Sequence, residues 1–158
     1  MKQVFIILLM FIVNNLCSQT NTELKMENHY DSSYAKKLGA DDYGMKLYVM
    51  AFLKSGKVKM SDESESAKLQ MEHLKNILRM ADEGKLLIAG PFTDKGEIRG
   101  IYIFDVTTVE EAEELTSTDP AIKAGILEME LHPWYGSAAL MEMNSIHKKL
   151  QKKSITGD

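Results

Sequence analysis

Four apolar segments with the spacing of β-strands alternate with two segments of helical periodicity, and this order limits the fold most strongly. The order is strand, helix, strand, strand, helix, strand. It predicts an α+β fold of the ferredoxin-like βαββαβ type, in which a four-stranded antiparallel sheet carries both helices on one face. The predicted strands are Met45–Leu53, Leu86–Ala89, Ile98–Phe104 and Leu127–His132, and the predicted helices are Ala67–Ala81 and a second one reaching about Leu115.

Turn and capping residues mark the ends of these elements. Gly90 and Pro91 are predicted to stop the second strand, because proline lacks the N–H that a strand interior needs. Thr107 and Thr108 each have a glutamate three residues later, which predicts a capping box at the start of the second helix. The segment Pro133-Trp134-Tyr135-Gly136 is predicted to end the fourth strand.

A sheet with helices on one face leaves its other apolar face uncovered. Such a face is commonly buried against a second copy of the same chain, in an interface with two-fold symmetry. The sequence therefore predicts a homodimer.

The first residues have the composition of an export signal. Lys2 gives a short positive start, and Val4–Val13 is an apolar run of ten residues followed by polar and small residues. A run of this length is too short to cross about 30 Å of hydrocarbon. The pattern predicts a cleavable signal peptide over residues 1–18, an exported protein that is periplasmic or extracellular in a bacterium, and no stable transmembrane anchor.

Cys17 is the only cysteine, and signal cleavage after Ser18 would remove it. An alternative interpretation makes Cys17 the lipid-bearing cysteine of a lipoprotein. This interpretation is less favoured because Asn14 and Leu16 do not fit the aliphatic and small residues which that motif requires.

The rest of the chain divides by composition into three parts. Residues 19–45 are polar and predict an arm, residues 46–136 form the folded domain, and residues 137–158 form a helical basic tail. A net charge of −4 argues against a nucleic-acid partner, because such partners normally need a basic face. The histidines and eleven methionines show no metal-ligand spacing, so the sequence predicts neither a metal nor another cofactor.

His73, within the first predicted helix, is the candidate catalytic residue. Histidine alone among unperturbed side chains exchanges a proton near neutral pH. Asp119 lies downstream, before Pro120, and is the carboxylate that would fix the imidazole tautomer for general acid or base catalysis. Asp119 is also expected to cap a short helical turn, and the two roles are compatible. The alternative for His73 is a structural residue at the border of the apolar side of its helix.

Two further groups of side chains leave their roles open. Ser117 and Thr118 add hydroxyls beside the candidate aspartate, which either bind a substrate oxygen or cap the turn. Tyr48 and Tyr102 lie on predicted strands and either line the same cavity or, as is more usual for strand tyrosines, serve as packing residues.

Several separate segments occur in the order found in one known family, and together they carry a resemblance. This chain resembles the YciI-like family, over about Lys46 to Gly136, in His73-Leu74, Glu83–Pro91, Gly100 with Tyr102-Ile103-Phe104, Glu111-Ala112, Asp119-Pro120, Ala124-Gly125 and Pro133-Trp134. The resemblance implies a dimeric ferredoxin-like α/β barrel with a site centred on the histidine at position 73 and the aspartate at position 119. It also implies that Gly90 and Pro91 shape the wall of that site.

Two hypotheses for function follow. In the first, the protein is a small cofactor-free enzyme that performs elimination, isomerisation or hydrolysis on a small organic molecule, with His73 as general acid or base. In the second, it is an exported, non-catalytic module that binds a small-molecule ligand in the dimer cleft. The fold supports either hypothesis.

Overall fold

A computed structural model describes residues 29–157. The chain divides into two units, the second of which is Asp31–Asp158, and all elements below belong to this second unit. The signal peptide predicted for residues 1–18 and the first part of the predicted arm lie outside the described residues. Within the described part of the chain, no helix is both long enough and apolar enough to span a lipid bilayer.

The centre of the second unit is a single antiparallel sheet of four strands. Its spatial order is β2-β3-β1-β4, so the first and third strands are central and the second and fourth form the edges. This topology confirms the predicted ferredoxin-like α+β fold. The strands are β1 (Met45–Ser55), β2 (Leu86–Pro91), β3 (Ile98–Phe104) and β4 (Leu127–Ser137).

The long helix before β2 and the helix after β3 begin at residues whose side chains cap free backbone N–H groups. The Asp62 carboxylate accepts from Ser64 and Glu65 N–H at the start of the long helix, and Thr108 with Glu111 forms the predicted capping box. The helices are α1 (Ser32–Leu38), α2 (Glu63–Asp82), α3 (Val109–Thr116), α4 (Pro120–Lys123) and α5 (Met143–Leu150), and a 3-10 helix spans Ala138–Glu142.

The main core lies between one face of the sheet and helices α2 and α3. Met80 of α2 and Ala112 of α3 are fully buried against the alternate residues of β1 and β3. Burying a side chain such as Phe104 or Val49 contributes roughly 1.5–3 kcal/mol to the free energy of unfolding. The sheet and both helices therefore hold each other in a fixed geometry, and α2 carries His73 against the sheet.

The opposite face of the sheet has a smaller cluster. Tyr48, Leu87 and Ile103 are buried there, and Leu140 and Met141 of the 3-10 helix pack against them. The segment after β4 thus covers part of the face that the sequence left bare.

Both edge strands include the prolines that were expected to stop them. Strand β2 includes Gly90 and Pro91 instead of ending at Ala89, and β4 continues through Pro133 to Ser137, paired with β1 along its whole length. These strand ends were wrong in the sequence interpretation. An edge strand pairs on one side only, so it tolerates a residue without an N–H that a central strand would not.

Helix α1 lies within the segment interpreted from the sequence as a polar arm. Its carboxylate cap is Asp31, and it ends at Gly39, whose φ of 70° lies in the left-handed region that favours glycine. Helix α1 contributes little apolar surface to the core, because Leu38 is the only buried residue of this helix.

Candidate active site

His73 and Asp119, which are far apart in the sequence, form a buried pair. Helix α2 presents His73 towards the sheet, and Asp119 ends the turn between α3 and α4. The distance between His73 Nδ1 and Asp119 Oδ2 is 2.7 Å, and the residues are 7% and 0% exposed. The carboxylate oxygen accepts, so this contact places a proton on Nδ1 and leaves Nε2 of the neutral ring with a lone pair that can accept a hydrogen bond or a proton.

Asp119 uses each carboxylate oxygen for a different partner. Its Oδ1 accepts from the backbone N–H of Ala121 at 2.8 Å, which caps α4, and its Oδ2 contacts His73. Pro120 follows at the first helical position, where the missing N–H leaves nothing unsatisfied. Burial of a carboxylate is costly unless it is paired and hydrogen-bonded, and both conditions hold here.

A polar network on α2 fixes the turn that carries Asp119. The Arg79 guanidinium donates to Asn76 Oδ1 at 2.9 Å and to Thr118 Oγ1 at 3.0 Å, and its other arm binds Glu83. Asn76 lies one turn beyond His73 on the same helix, and Thr118 precedes Asp119. The network therefore ties both halves of the pair to one set of hydrogen bonds.

Tyr102 is a third member of the site, for which the sequence interpretation favoured packing over a position in the cavity lining. Its hydroxyl lies 3.4 Å from His73 Nε2, and the two rings are nearly parallel, with 21° between their planes. Burial raises the pKa of Tyr102 above its usual range, and the charge of Asp119 raises it further. The phenol stays protonated and faces Nε2 as a donor. Strand register could have indicated this, since Tyr102 shares a sheet face with Phe104 of the main core.

An open cavity of about 530 Å³ lies against this group. Gly90 and Pro91, which the family resemblance assigned to the wall of the site, line it together with His73 and Tyr102. Gly100 is required at its floor, because a Cβ there would lie 2.6 Å from the Gly90 carbonyl oxygen. The remaining lining residues are Leu53, Gln70, Leu74, Ile77, Ala89, Arg99, Leu127 and Ile155.

Ser117 does not line this cavity. It is the C-cap residue of α3, and its hydroxyl donates to the Glu114 carbonyl at 2.7 Å. Of the two roles left open for Ser117, the geometry shows the capping one, because the side chain bonds back onto its own helix.

His132 and His147 do not line the cavity. His132 on β4 contacts Glu130 at 2.8 Å, and His147 lies on α5. Within residues 29–157, no group of three or more His, Cys, Asp and Glu side chains is arranged to hold a metal ion.

Replacing Tyr102 by phenylalanine tests the third member of the site. The variant keeps the ring packed on Phe104 and removes only the hydroxyl near His73. We expect the free energy of unfolding to change by less than about 1.5 kcal/mol and turnover to fall by roughly tenfold, because a proton donor at the reactive nitrogen is lost. Chemical denaturation and steady-state kinetics measure the two effects.

Tyr48→Phe is the matched control for this variant. Tyr48 is also fully buried on the sheet, but its hydroxyl donates to the Ser137 carbonyl, away from the cavity. Turnover should be unaffected in the control. An equal effect of the two substitutions would show that Tyr102 acts only through packing.

Comparison with known proteins identifies a family and similar solved structures. Residues 47–135 match the YCII-related domain family. No curated protein matches the chain significantly. Among matching solved structures is the 5-chloro-2-hydroxyhydroquinone dehydrochlorinase TftG from Burkholderia phenoliruptrix AC1100 in complex with 2,5-dihydroxybenzoquinone; it is 16% identical, with a TM-score of 0.42 over 56% of this chain and 93% of that one.

Proposed function

Because this chain belongs to the YCII-related domain family, and because its matched segment contains a buried histidine–aspartate pair, we propose that it is a small enzyme using general acid–base catalysis. The observation that carries the proposal is the 2.7 Å contact between His73 and Asp119 at the wall of an open cavity. The substrate is a small organic molecule that fits this cavity. Its exchangeable proton lies next to His73 Nε2.

The geometry supports different roles for His73 and Asp119. Asp119 holds Nδ1–H, which fixes the tautomer and stabilises the positive charge that develops on the ring. Nε2 accepts a proton from a C–H or O–H group of the bound molecule, or from a water that attacks it. In isomerisation the same nitrogen then returns the proton to another atom of the substrate. In elimination or hydrolysis the bond to the leaving group breaks with its electron pair, and the imidazolium gives its proton to that group or to solvent.

Tyr102 keeps this nitrogen oriented when no substrate is bound. Its hydroxyl faces Nε2 in the resting site and, after a substrate enters, is within the cavity to donate to a substrate oxygen. A neutral donor beside a forming enolate or alkoxide lowers the energy of that anion.

Deuterium exchange tests the proposal even when the product is unidentified. The full chain is incubated in D₂O with small ketones, hydroxy acids and hydroquinones, and mass spectrometry records deuterium uptake and new products. We expect at least one compound to exchange or react faster with the wild type than with His73→Asn. Equal behaviour of both proteins across the panel would contradict the proposal.

The alternative is a ligand-binding module that does not catalyse a reaction. The open cavity supports binding as well as chemistry, since small-molecule sites are concave and largely apolar. A compound that raises the melting temperature of the wild type and of His73→Asn equally, and is recovered unchanged, would favour this alternative.

We propose that two copies of the chain associate through the sheet face opposite α2 and α3. Phe52 and Ile101 lie opposite each other on that face and are only partly buried, as is Met50. We expect Phe52→Glu to convert a wild-type dimer into a monomer, because a charge in an apolar interface loses its hydration without gaining a partner. Light scattering after size-exclusion chromatography measures the mass.

Tyr43→Glu is the control for this substitution, since Tyr43 is 86% exposed before β1 and lies outside the sheet. The control should remain dimeric. A monomeric wild type, or a dimeric Phe52→Glu variant, would contradict the proposed interface.

A further inference from the structure

Arg99 is the extra residue of a bulge in β3. Leu53 pairs with Gly100, whereas the next residue, Lys54, pairs with Ile98, so Arg99 has no partner on β1. In such a bulge two residues oppose one, and the local change of twist redirects a side chain. Here the two opposed residues, Arg99 and Gly100, line the same cavity as Leu53. The Arg99 carbonyl accepts from Phe92 N–H at 2.9 Å, which holds the bulge in the hairpin.

The cavity has an unbalanced positive charge. Arg99 is the only permanently charged residue among those that line it, and none of them is an aspartate or a glutamate. Asp119 lies behind His73 and is not part of the lining. Within residues 29–157, the ion pairs do not include Arg99. A guanidinium in this setting is free to bind an incoming anion.

A second cavity of about 280 Å³ adjoins the first at Arg99. The two share Arg99, Gln70 and Leu127, and the second also contains Lys59 with the hydroxyls of Ser55 and Ser66. It likewise has no carboxylate in its lining. Arg99 thus stands between the reactive end at His73 and a polar compartment with a further cation.

We propose that Arg99 is a substrate-binding residue and that the substrate is a small organic carboxylate. The carboxylate binds the guanidinium, with Lys59 adding a longer-range attraction, while the reacting part of the molecule extends towards His73. Tyr102, which contacts His73, and Arg99 are three residues apart on β3, or roughly 10 Å between their Cα positions. A molecule the size of a substituted benzoate spans that separation.

This inference rests on the proposed function for the fate of the bound molecule but is tested by binding alone. Three carboxylates, benzoate, 4-hydroxybenzoate and adipate, are titrated into the full chain alongside their neutral amides. Calorimetry gives the affinities, and NMR follows the Arg99 side-chain Nε–H. Arg99→Gln, Arg99→Lys and the control Lys95→Gln are compared; Lys95 is exposed in the same hairpin and lines neither cavity.

At least one carboxylate should bind roughly tenfold to a hundredfold more tightly than its amide, because charge-assisted hydrogen bonds to a guanidinium are strong. Arg99→Gln should abolish the difference, Arg99→Lys should retain part of it, and Lys95→Gln should leave the affinity within about twofold. The preference should also weaken as salt is added.

Two results would overturn the inference. One is that none of the three carboxylates binds more tightly than its amide or perturbs the Arg99 resonance. The other is that Arg99→Gln leaves the preference intact. Failure of the proposed function looks different: His73→Asn would still bind the carboxylate, and the wild type would not transform any bound compound.

Discussion

Asparagine in place of His73 is expected to lower turnover by roughly 10² to 10⁴ while leaving the protein folded. The loss follows from removal of the only imidazole in the cavity lining, since a positioned general base contributes about that factor. The fold survives because the asparagine Nδ2 occupies about the position of the histidine Nδ1 and can donate to Asp119. We expect the free energy of unfolding to fall by less than about 1.5 kcal/mol. Kinetics and chemical denaturation give the two values.

Alanine at the same position should behave differently. It leaves the fully buried Asp119 carboxylate without its side-chain partner, and breaking a buried pair in this way costs roughly 3–5 kcal/mol. His132→Asn is the control, because His132 also pairs with a carboxylate but is exposed on β4. If His73→Asn keeps wild-type turnover on a substrate identified by exchange, His73 is not the catalytic base.

The second large effect is expected for Asp119→Asn. The asparagine Oδ1 can still cap α4 through Ala121 N–H, but its amide N–H₂ would face His73 Nδ1 as a donor. The imidazole must then move its proton to Nε2, which can no longer act as a base. We expect turnover to drop by about 10⁴, as is found when a catalytic histidine is held in the wrong tautomer. The unfolding free energy should change by less than about 2 kcal/mol.

Comparison of two alanine variants isolates the contribution of the His73–Asp119 contact to the free energy of unfolding. Asp62→Ala and Asp119→Ala each remove a helix cap, which costs about 1 kcal/mol, but only the second also removes the partner of a buried histidine. Denaturation should show Asp119→Ala as the less stable by roughly 1–3 kcal/mol. Equal losses would mean that the contact with His73 adds nothing to stability.

Turnover of Asp119→Asn within tenfold of wild type would show that the carboxylate does not orient His73.

Short-range sequence signals allowed the fold to be predicted from the sequence. The capping box at Thr108 and Glu111, the Asp119-Pro120 helix start and the hairpin β2–β3 depend on residues a few positions apart, and all three occur in the structure. The ends of β2 and β4 were misjudged because they depend on which strands are edges. That is a property of the assembled sheet, and no local segment contains it.

The site could be predicted only in part, because some of its residues are brought together by strand pairing in the assembled sheet. Proton chemistry makes His73 and Asp119 candidates, and the family resemblance selected them among the four histidines and the many carboxylates of the chain. Tyr102 and Arg99 are ordinary strand residues whose roles follow from register and from a bulge between β1 and β3. Pairing between distant strands decides both, and a one-residue slip would turn either side chain to the other face of the sheet. Helix α1 could have been found from its capping aspartate and terminal glycine.

Asp119 forms two hydrogen bonds with different partners, and this affects how homologues of this protein should be compared. One oxygen caps a helix and the other holds the imidazole, so selection for folding alone would retain an aspartate here. Under the proposed function, a descendant without catalysis would keep this aspartate together with a donor at position 73, such as asparagine, while the imidazole and the bulged arginine would be lost. Among homologues, co-occurrence of His73 and Arg99 would therefore mark the active lineages, and Asp119 by itself would not.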